Sequence, residues 1–272
     1  MNGKKKSTEK IMNDIKNIKI QGAKNIAKAA AKVYSSSPSK FMKRKLLSLR
    51  PTEPMMENML DMLENGKSYR EIINELKISQ TKINNYVLKL IKNKDVVFTH
   101  CHSTSVVNAL IYAKNKGKKF EVYNTETRPL YQGRKTFKEL RKAGIKVTLF
   151  VDSAMGVALS KRGGTRKTDK VFLGADAITD KGVVNKIGSG VVAQIAREEK
   201  IPFYIVADSW KFTKSKVPIE NRKLNEVWDK APKNIRIKNP AFEFVPKKYI
   251  TKIISELGIM NYDVFLRKVR KS

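Results

Sequence analysis

Cysteine occurs once in the 272 residues, at Cys101, and histidine twice, at His100 and His102. One cysteine makes no internal disulfide, so an intracellular, cytoplasmic chain is expected. No apolar run approaches the roughly 18 residues of a membrane span. The Lys4-Lys5-Lys6 start is not followed by the apolar stretch of a secretory leader. No membrane association is expected. No Walker or GxGxxG fingerprint is present, so no cofactor is indicated. His100 and His102 form a tempting pair around Cys101, but no Asp, Glu or second Cys completes a metal-ligand spacing, and no metal is expected. Acidic residues are scarce beside basic ones, 25 against 57, which leaves a formal charge of +32.

That charge is compatible with a lysine-rich surface, with RNA or with phosphorylated substrates. Lysine supplies 44 of the 57 basic residues and is spread over every segment. A nucleic-acid footprint is more often clustered and arginine-rich, so nucleic acid is not the expected partner. With 41% hydrophobic residues the chain buries a proper core, and its length suits one large domain or two modest ones.

The first 94 residues read as helical. Ile11, Ile15, Ile18 and Ile26 recur at helical spacing over 7–34, with a break at Gly22. Further helices are expected near 40–48, 54–65, 68–75 and 79–93, with Ser68 and Glu71 forming a capping box. Tyr69 to Leu90 has the length of a helix-turn-helix, and a plain helical hairpin is the preferred reading. At Asp95 the texture changes. Strand-like runs at Val96–Phe98, Phe120–Asn124, Lys146–Val151, Lys170–Leu173 and Phe203–Ala207 alternate with helix-like segments at 104–116, 133–143, 154–161 and 189–199. Such alternation argues for a parallel sheet with right-handed crossovers. The expected fold is α/β: a helical N-terminal domain over 1–94, then a Rossmann-like parallel sheet domain over 95–272.

Four loops that follow successive strands carry polar residues a core would not want. The first holds Cys101 and Ser103. The second is Glu126-Thr127-Arg128-Pro129 with Gln132-Gly133-Arg134, the third holds Asp152 and Ser153, and the fourth is Gly174-Ala175-Asp176 with Asn185-Lys186 soon after. Loops at the carboxyl ends of parallel strands converge on one crevice. Arg128 suits bidentate phosphate binding, and the helix after Cys101 offers N–H groups for the same task. That helix end and the nearby cations are expected to lower the Cys101 pKa.

These motifs resemble the superfamily of sugar-phosphate isomerases and initiation factor 2B subunits. The resemblance rests on Thr99-His100-Cys101, Glu126-Thr127-Arg128-Pro129, Gln132-Gly133, Gly174-Ala175-Asp176, Asn185-Lys186-Ile187-Gly188, Lys211-Phe212, Asn239-Pro240-Ala241-Phe242 and Gly258-Ile259. In the helical part it rests on Gly22-Ala23 and Arg50-Pro51-Thr52. Cys-His-Ser and Gly-Ala-Asp-Ala-Ile look like the archaeal ribose 1,5-bisphosphate isomerases. The resemblance then implies acid–base roles for Cys101 and Asp176. It gives the two phosphates to Arg50, Arg128, Lys186 and backbone N–H groups near Gly22, Ala23 and Ser103. Gln132 and Asn185 would orient sugar hydroxyls. A phosphorylated pentose, a homo-oligomer (dimer or hexamer) built through the C-terminal domain and possible activation by AMP are implied in the same way. Gln21 stands where the enzymes usually have Arg, which would weaken one phosphate site, and Ser189 stands where a Thr often follows the glycine. A methylthioribose-1-phosphate isomerase and a 2B-like binding subunit are the alternatives. The Cys101–Asp176 pair separates the last of these, because a scaffold has no chemical reason to keep it.

Overall fold

A computed structural model describes residues 2–161 and 163–271. Five helices come first: α1 (Asn2–Lys16), α2 (Ala23–Ser36), α3 (Lys40–Leu49), α4 (Pro54–Glu64) and α5 (Tyr69–Leu90). Gly22, at φ +85°, ends the linker and caps α2, as the break in the isoleucine pattern suggested. The hairpin expected over Tyr69–Leu90 does not form. One 22-residue helix spans it, because no Gly or Pro interrupts the stretch and Ser79 at its middle is drawn inward to the Asp208 carboxylate. The Ser68–Glu71 box is present from both sides, at 3.2 Å and 2.7 Å.

The alternating part follows as β1 (Val96–Thr99), α6 (Thr104–Asn115), β2 (Glu121–Thr125), α7 (Gln132–Lys142), β3 (Lys146–Phe150), α8 (Met155–Leu159), β4 (Lys170–Leu173), β5 (Ala177–Ile178), β6 (Gly182–Lys186), α9 (Ser189–Glu198) and β7 (Phe203–Val206). The chain then runs without α-helix or strand, save two 3-10 turns, to β8 (Phe242–Pro246), β9 (Lys252–Ser255), β10 (Gly258–Met260) and α10 (Tyr262–Val269). The five strands read from sequence are all present. The rest were not anticipated: β9 and β10 extend the main sheet, and β5, β6 and β8 form a small antiparallel sheet. Asn185 and Lys186 therefore end a strand instead of lying in a loop. Among the described residues, no helix is long and apolar enough to cross a membrane.

The seven-stranded sheet has the order β10-β9-β7-β4-β1-β2-β3, parallel from β9 through β3. Its central strands β1, β4 and β7 are largely apolar and buried on both faces, as parallel strands are, while the edge strand β3 is mostly exposed. Val96, Phe98, Val171, Leu173, Phe203 and Ile205 pack with α8, α9 and α10 on one face. Val97, Val122, Phe172 and Val206 pack with α5 and α6 on the other. A third cluster, with Ile15, Ile26, Ala30, Met55, Met59, Ile72 and Leu76, ties α1, α2, α4 and α5 together. From β1 the chain winds out to β2 and β3, then crosses back to β4 on the opposite flank of β1. The β1/β4 boundary is thus the switch point of the sheet, where open α/β folds form a crevice at the carboxyl ends of the strands.

Close approach fixes the second loop of that rim. A Cβ on Gly133 would lie 1.7 Å from the Thr125 carbonyl oxygen, a backbone atom that cannot swing aside. Gly133→Ala is expected to destabilise the fold by more than about 3 kcal/mol, measured as a lowered midpoint in chemical denaturation.

Candidate active site

The crevice at the β1/β4 boundary is a cavity walled by both parts of the chain. Cys101, His102, Ser103, Thr104 and Ser105 come from β1 and the start of α6. Asp176 follows β4, and Asn185 and Lys186 end β6. Gly22, Ala23 and Lys24 come from the start of α2, Arg50 and Glu53 from the α3–α4 corner, and Lys211 from just beyond β7.

Local hydrogen bonds build each wall. Cys101 sits at φ +67° in the left-handed region, where a non-glycine residue needs support. Its N–H donates to Thr127 Oγ1 at 2.9 Å, and its carbonyl accepts from Thr136 Oγ1 at 2.8 Å. Ser103 caps α6 by accepting from Val106 N–H. A Cβ on Gly174 would lie 2.6 Å from Ser103 Oγ, so only glycine lets the β4 loop close against this cap and carry Asp176 to the cavity. Asn185 Nδ2 donates to Ser189 Oγ at 2.8 Å, which in turn donates to the Lys186 carbonyl at 2.7 Å. The Lys211 ammonium donates to the Ala175 carbonyl beside Asp176.

The cavity holds a helix start in each half. The leading N–H groups of α2 and of α6 have no acceptor within their helices, and the helix dipole adds positive potential there. Lys24 and Arg50 stand by the first, Lys135 by the second. Gln21 also lines the wall, without the charge an arginine would bring. Lys24 is held by Asp208 at 2.9 Å and by Gln80 at 2.7 Å. Arg50 lies between two acids, 3.5 Å from Glu53 and 3.2 Å from Glu220.

Burial governs protonation here. The expectation of an acidic Cys101 is overturned: burial pushes the thiol up to about 11, with Lys186 the largest opposing influence. One helix end and an ammonium do not offset the loss of water around a thiolate. Burial also raises the Asp176 carboxyl, against the pull of Lys211, Arg50 and Lys186. Glu53 is pushed up to about 8 by burial first and by the Asp176 charge second, Arg50 notwithstanding. A carboxyl whose folded pKa lies above its unfolded value binds more protons in the folded state, so it weakens the fold as pH rises between the two values. Stability is expected to fall from pH 5 to pH 8 through this group. Glu53→Gln is expected to flatten that slope in denaturation midpoints taken across the range, and an unchanged slope would show that Glu53 is ionised throughout.

The crevice thus gathers Gly22, Ala23, Arg50, Cys101, Ser103, Gln132, Asp176, Asn185 and Lys186 on one wall system. Arg128 is not on it. Its guanidinium donates to Tyr131 Oη at 2.7 Å and to the Val227 carbonyl at 3.0 Å, outside the cavity. The third loop also stays out, since both Asp152 oxygens accept loop N–H groups, from Thr127 and Arg128. Sequence reasoning assigned no role to Lys24, Glu53, Lys135 or Arg222, and it met Lys211 only as part of a motif. The one signal for Glu53 was an acid between Thr52 and Pro54, which reads as an ordinary helix start. Among the described residues, no three of His, Cys, Asp and Glu gather as a metal site.

Known proteins share this arrangement of chain. A ribose 1,5-bisphosphate isomerase of Archaeoglobus fulgidus is 35% identical over 279 residues, covering 90% of this chain and 86% of that protein. A methylthioribose-1-phosphate isomerase of Pelotomaculum thermopropionicum is 36% identical over 252 residues, covering 84% of this chain and 67% of that protein. Among solved structures, the translation initiation factor eIF-2B of Pyrococcus horikoshii OT3 superposes with a TM-score of 0.82 at 27% identity, over 94% of this chain and 97% of that one. The initiation factor 2 subunit family model matches residues 6–262, nearly the whole length over which helices α1 to α5 and the sheet close around the crevice, and the chain belongs to that family.

Proposed function

We propose that this chain is an aldose–ketose isomerase that converts α-D-ribose 1,5-bisphosphate into D-ribulose 1,5-bisphosphate. The observation that carries the reading is the placement of a thiol and a carboxyl between two anion-attracting helix starts. Cys101 and Asp176 follow adjacent strands and share one cavity with the starts of α6 and α2 and with Lys135 and Arg50. A sugar with a phosphate at each end fits that order of groups. The resemblance to proteins named ribose 1,5-bisphosphate isomerase, at 33–35% identity, supports the same reading.

A phosphate on C1 prevents spontaneous ring opening, so the reaction needs acid–base help. The C1–ring oxygen bond breaks with its electrons going to the oxygen, which takes a proton. The C2 proton then leaves to give an enol, and C1 gains a proton as the 2-hydroxyl becomes the carbonyl. Asp176, whose carboxyl pKa burial raises, is suited to protonate the ring oxygen, and Cys101 to handle the proton at C2. Lys186, Arg50 and the N–H groups at Ala23 and Thr104 hold the phosphates, and Gln132 and Asn185 orient hydroxyls.

The test is incubation with ribose 1,5-bisphosphate and AMP, following ribulose 1,5-bisphosphate through a coupled carboxylase. Turnover is expected. No product, together with turnover of methylthioribose 1-phosphate, would move the assignment to the other isomerase. Inertness toward both would favour a 2B-like binding subunit.

A further inference from the structure

The chain has only two imidazoles, and their surroundings put them in opposite states. His100 is 2% exposed and both its ring nitrogens are used. Nε2 faces the Ile187 carbonyl at 2.8 Å. A carbonyl only accepts, so Nε2 carries the proton, and Nδ1 accepts from the Thr125 hydroxyl. His100 is therefore a strut between β1, β2 and the β6–α9 turn.

His102 is different. The Thr136 hydroxyl has one proton, and the Cys101 carbonyl 2.8 Å away can only accept it. His102 Nδ1, 3.0 Å from the same oxygen, then meets a lone pair and must be the protonated nitrogen. Burial and the neighbouring Lys135 push the ring pKa down to about 4, so the imidazole is neutral at physiological pH. Nε2 is left with a bare lone pair and has no partner among the described residues. The side chain is half-buried on the cavity wall, next in sequence to Cys101.

This lone pair joins the Gln132 side-chain oxygen, which also has no partner among the described residues, as an uncharged acceptor on a wall rich in cations. Lys24, Arg50, Lys135, Lys186, Lys211 and two helix starts line the same cavity. Donors suit phosphate oxygens. A sugar hydroxyl also needs somewhere to place its proton, and a neutral imidazole nitrogen provides it while repelling phosphate oxygens. We propose that His102 is a substrate-contacting residue whose unprotonated Nε2 accepts a hydrogen bond from a hydroxyl of the bound phosphosugar, fixing the sugar between its phosphate anchors. The inference rests on the isomerase reading for the identity of the sugar. The tautomer rests on the Thr136 geometry alone.

Two substitutions separate the two nitrogens. Asparagine reproduces a donor at the Nδ1 position and keeps the Thr136 bond, but has nothing where Nε2 stood. Glutamine reaches the Nε2 position with a carbonyl oxygen. Loss of a hydrogen bond to a buried hydroxyl is expected to cost His102→Asn roughly 10-fold to 100-fold in kcat/KM, with most of it restored in His102→Gln and thermal stability alike in both. Nitrogen-15 spectra of the wild-type rings are expected to show opposite tautomers, and the His102 Nε2 signal is expected to shift when ribulose 1,5-bisphosphate is added. Wild-type kinetics in His102→Asn, equal losses in both variants, or a proton on His102 Nε2 would each overturn the proposal. A wild-type protein inert toward ribose 1,5-bisphosphate would sink the isomerase reading alone. The His102 contact would then be judged by ribose 5-phosphate binding, where equal affinity in the wild type and the Asn variant overturns it.

Discussion

Cys101→Ser is expected to lose about 10²-fold to 10⁴-fold in turnover, the range that one positioned acid–base group contributes, while folding as the wild type does. The substitution exchanges one small side chain for another and leaves the supports of the loop intact. The backbone bonds to Thr127 and Thr136 belong to the main chain of residue 101 and survive the change. What disappears is the thiol, the group assigned to the proton at C2. A hydroxyl is a far weaker acid than a thiol. Since burial already raises the thiol to about 11, serine in the same dry position holds its proton beyond any working pH. Steady-state rates with matched thermal melts check this, and full activity in the serine variant would remove Cys101 from the chemistry.

Asp176→Asn is expected to produce a loss of similar size, on the order of 10²-fold to 10⁴-fold, by a different route. The amide has the shape of the carboxyl and leaves the backbone bond from Asp176 N–H to the Val184 carbonyl, 2.9 Å, in place. It can neither give nor take the proton that ring opening requires. The carboxyl is raised by burial and held back by Lys211, Arg50 and Lys186, so the protonated, active form is the one lost as pH rises. The wild-type rate is expected to fall on the alkaline side. The Asn variant should lose that dependence together with its rate. A variant that kept the wild-type pH profile would mean that another group titrates.

The comparison between chain and fold divides along the range of the forces involved. The strands β1, β4 and β7 were legible because each is a largely apolar run that the sheet buries, and β2 and β3 because Val and aromatic or β-branched residues recur in them between helix-like segments. The Cys101 and Asp176 loops were legible because polar residues directly after such runs have few reasons to be there. By contrast β5 is two residues long and gains its identity from β6 and, through it, from β8, some 60 residues away. No local pattern encodes that pairing. The continuity of α5 was missed because Ser79 looks like a turn residue until Asp208, 129 positions later, is seen to hold it. Arg128 shows the same limit within the site. A guanidinium in a loop near candidate site residues reads as a ligand, yet the Val227 carbonyl, 99 positions on, takes it elsewhere. The Cys101 pKa reversed because cations are visible in a sequence and desolvation is not.

Helix α5 has a wider consequence. It contributes Ile72 and Leu76 to the cluster of the leading helices, and Ile83 and Val87 to the core beneath the sheet. Both cores pack on this one helix, so we expect their opening reactions to be coupled. Amides of α2 and of β1 are then expected to exchange with solvent at similar free energies. A ligand gripping Ala23 from one half and Thr104 from the other slows both together. The same helix that joins the halves mechanically lets occupancy of the crevice be felt across the whole protein as a single change in protection.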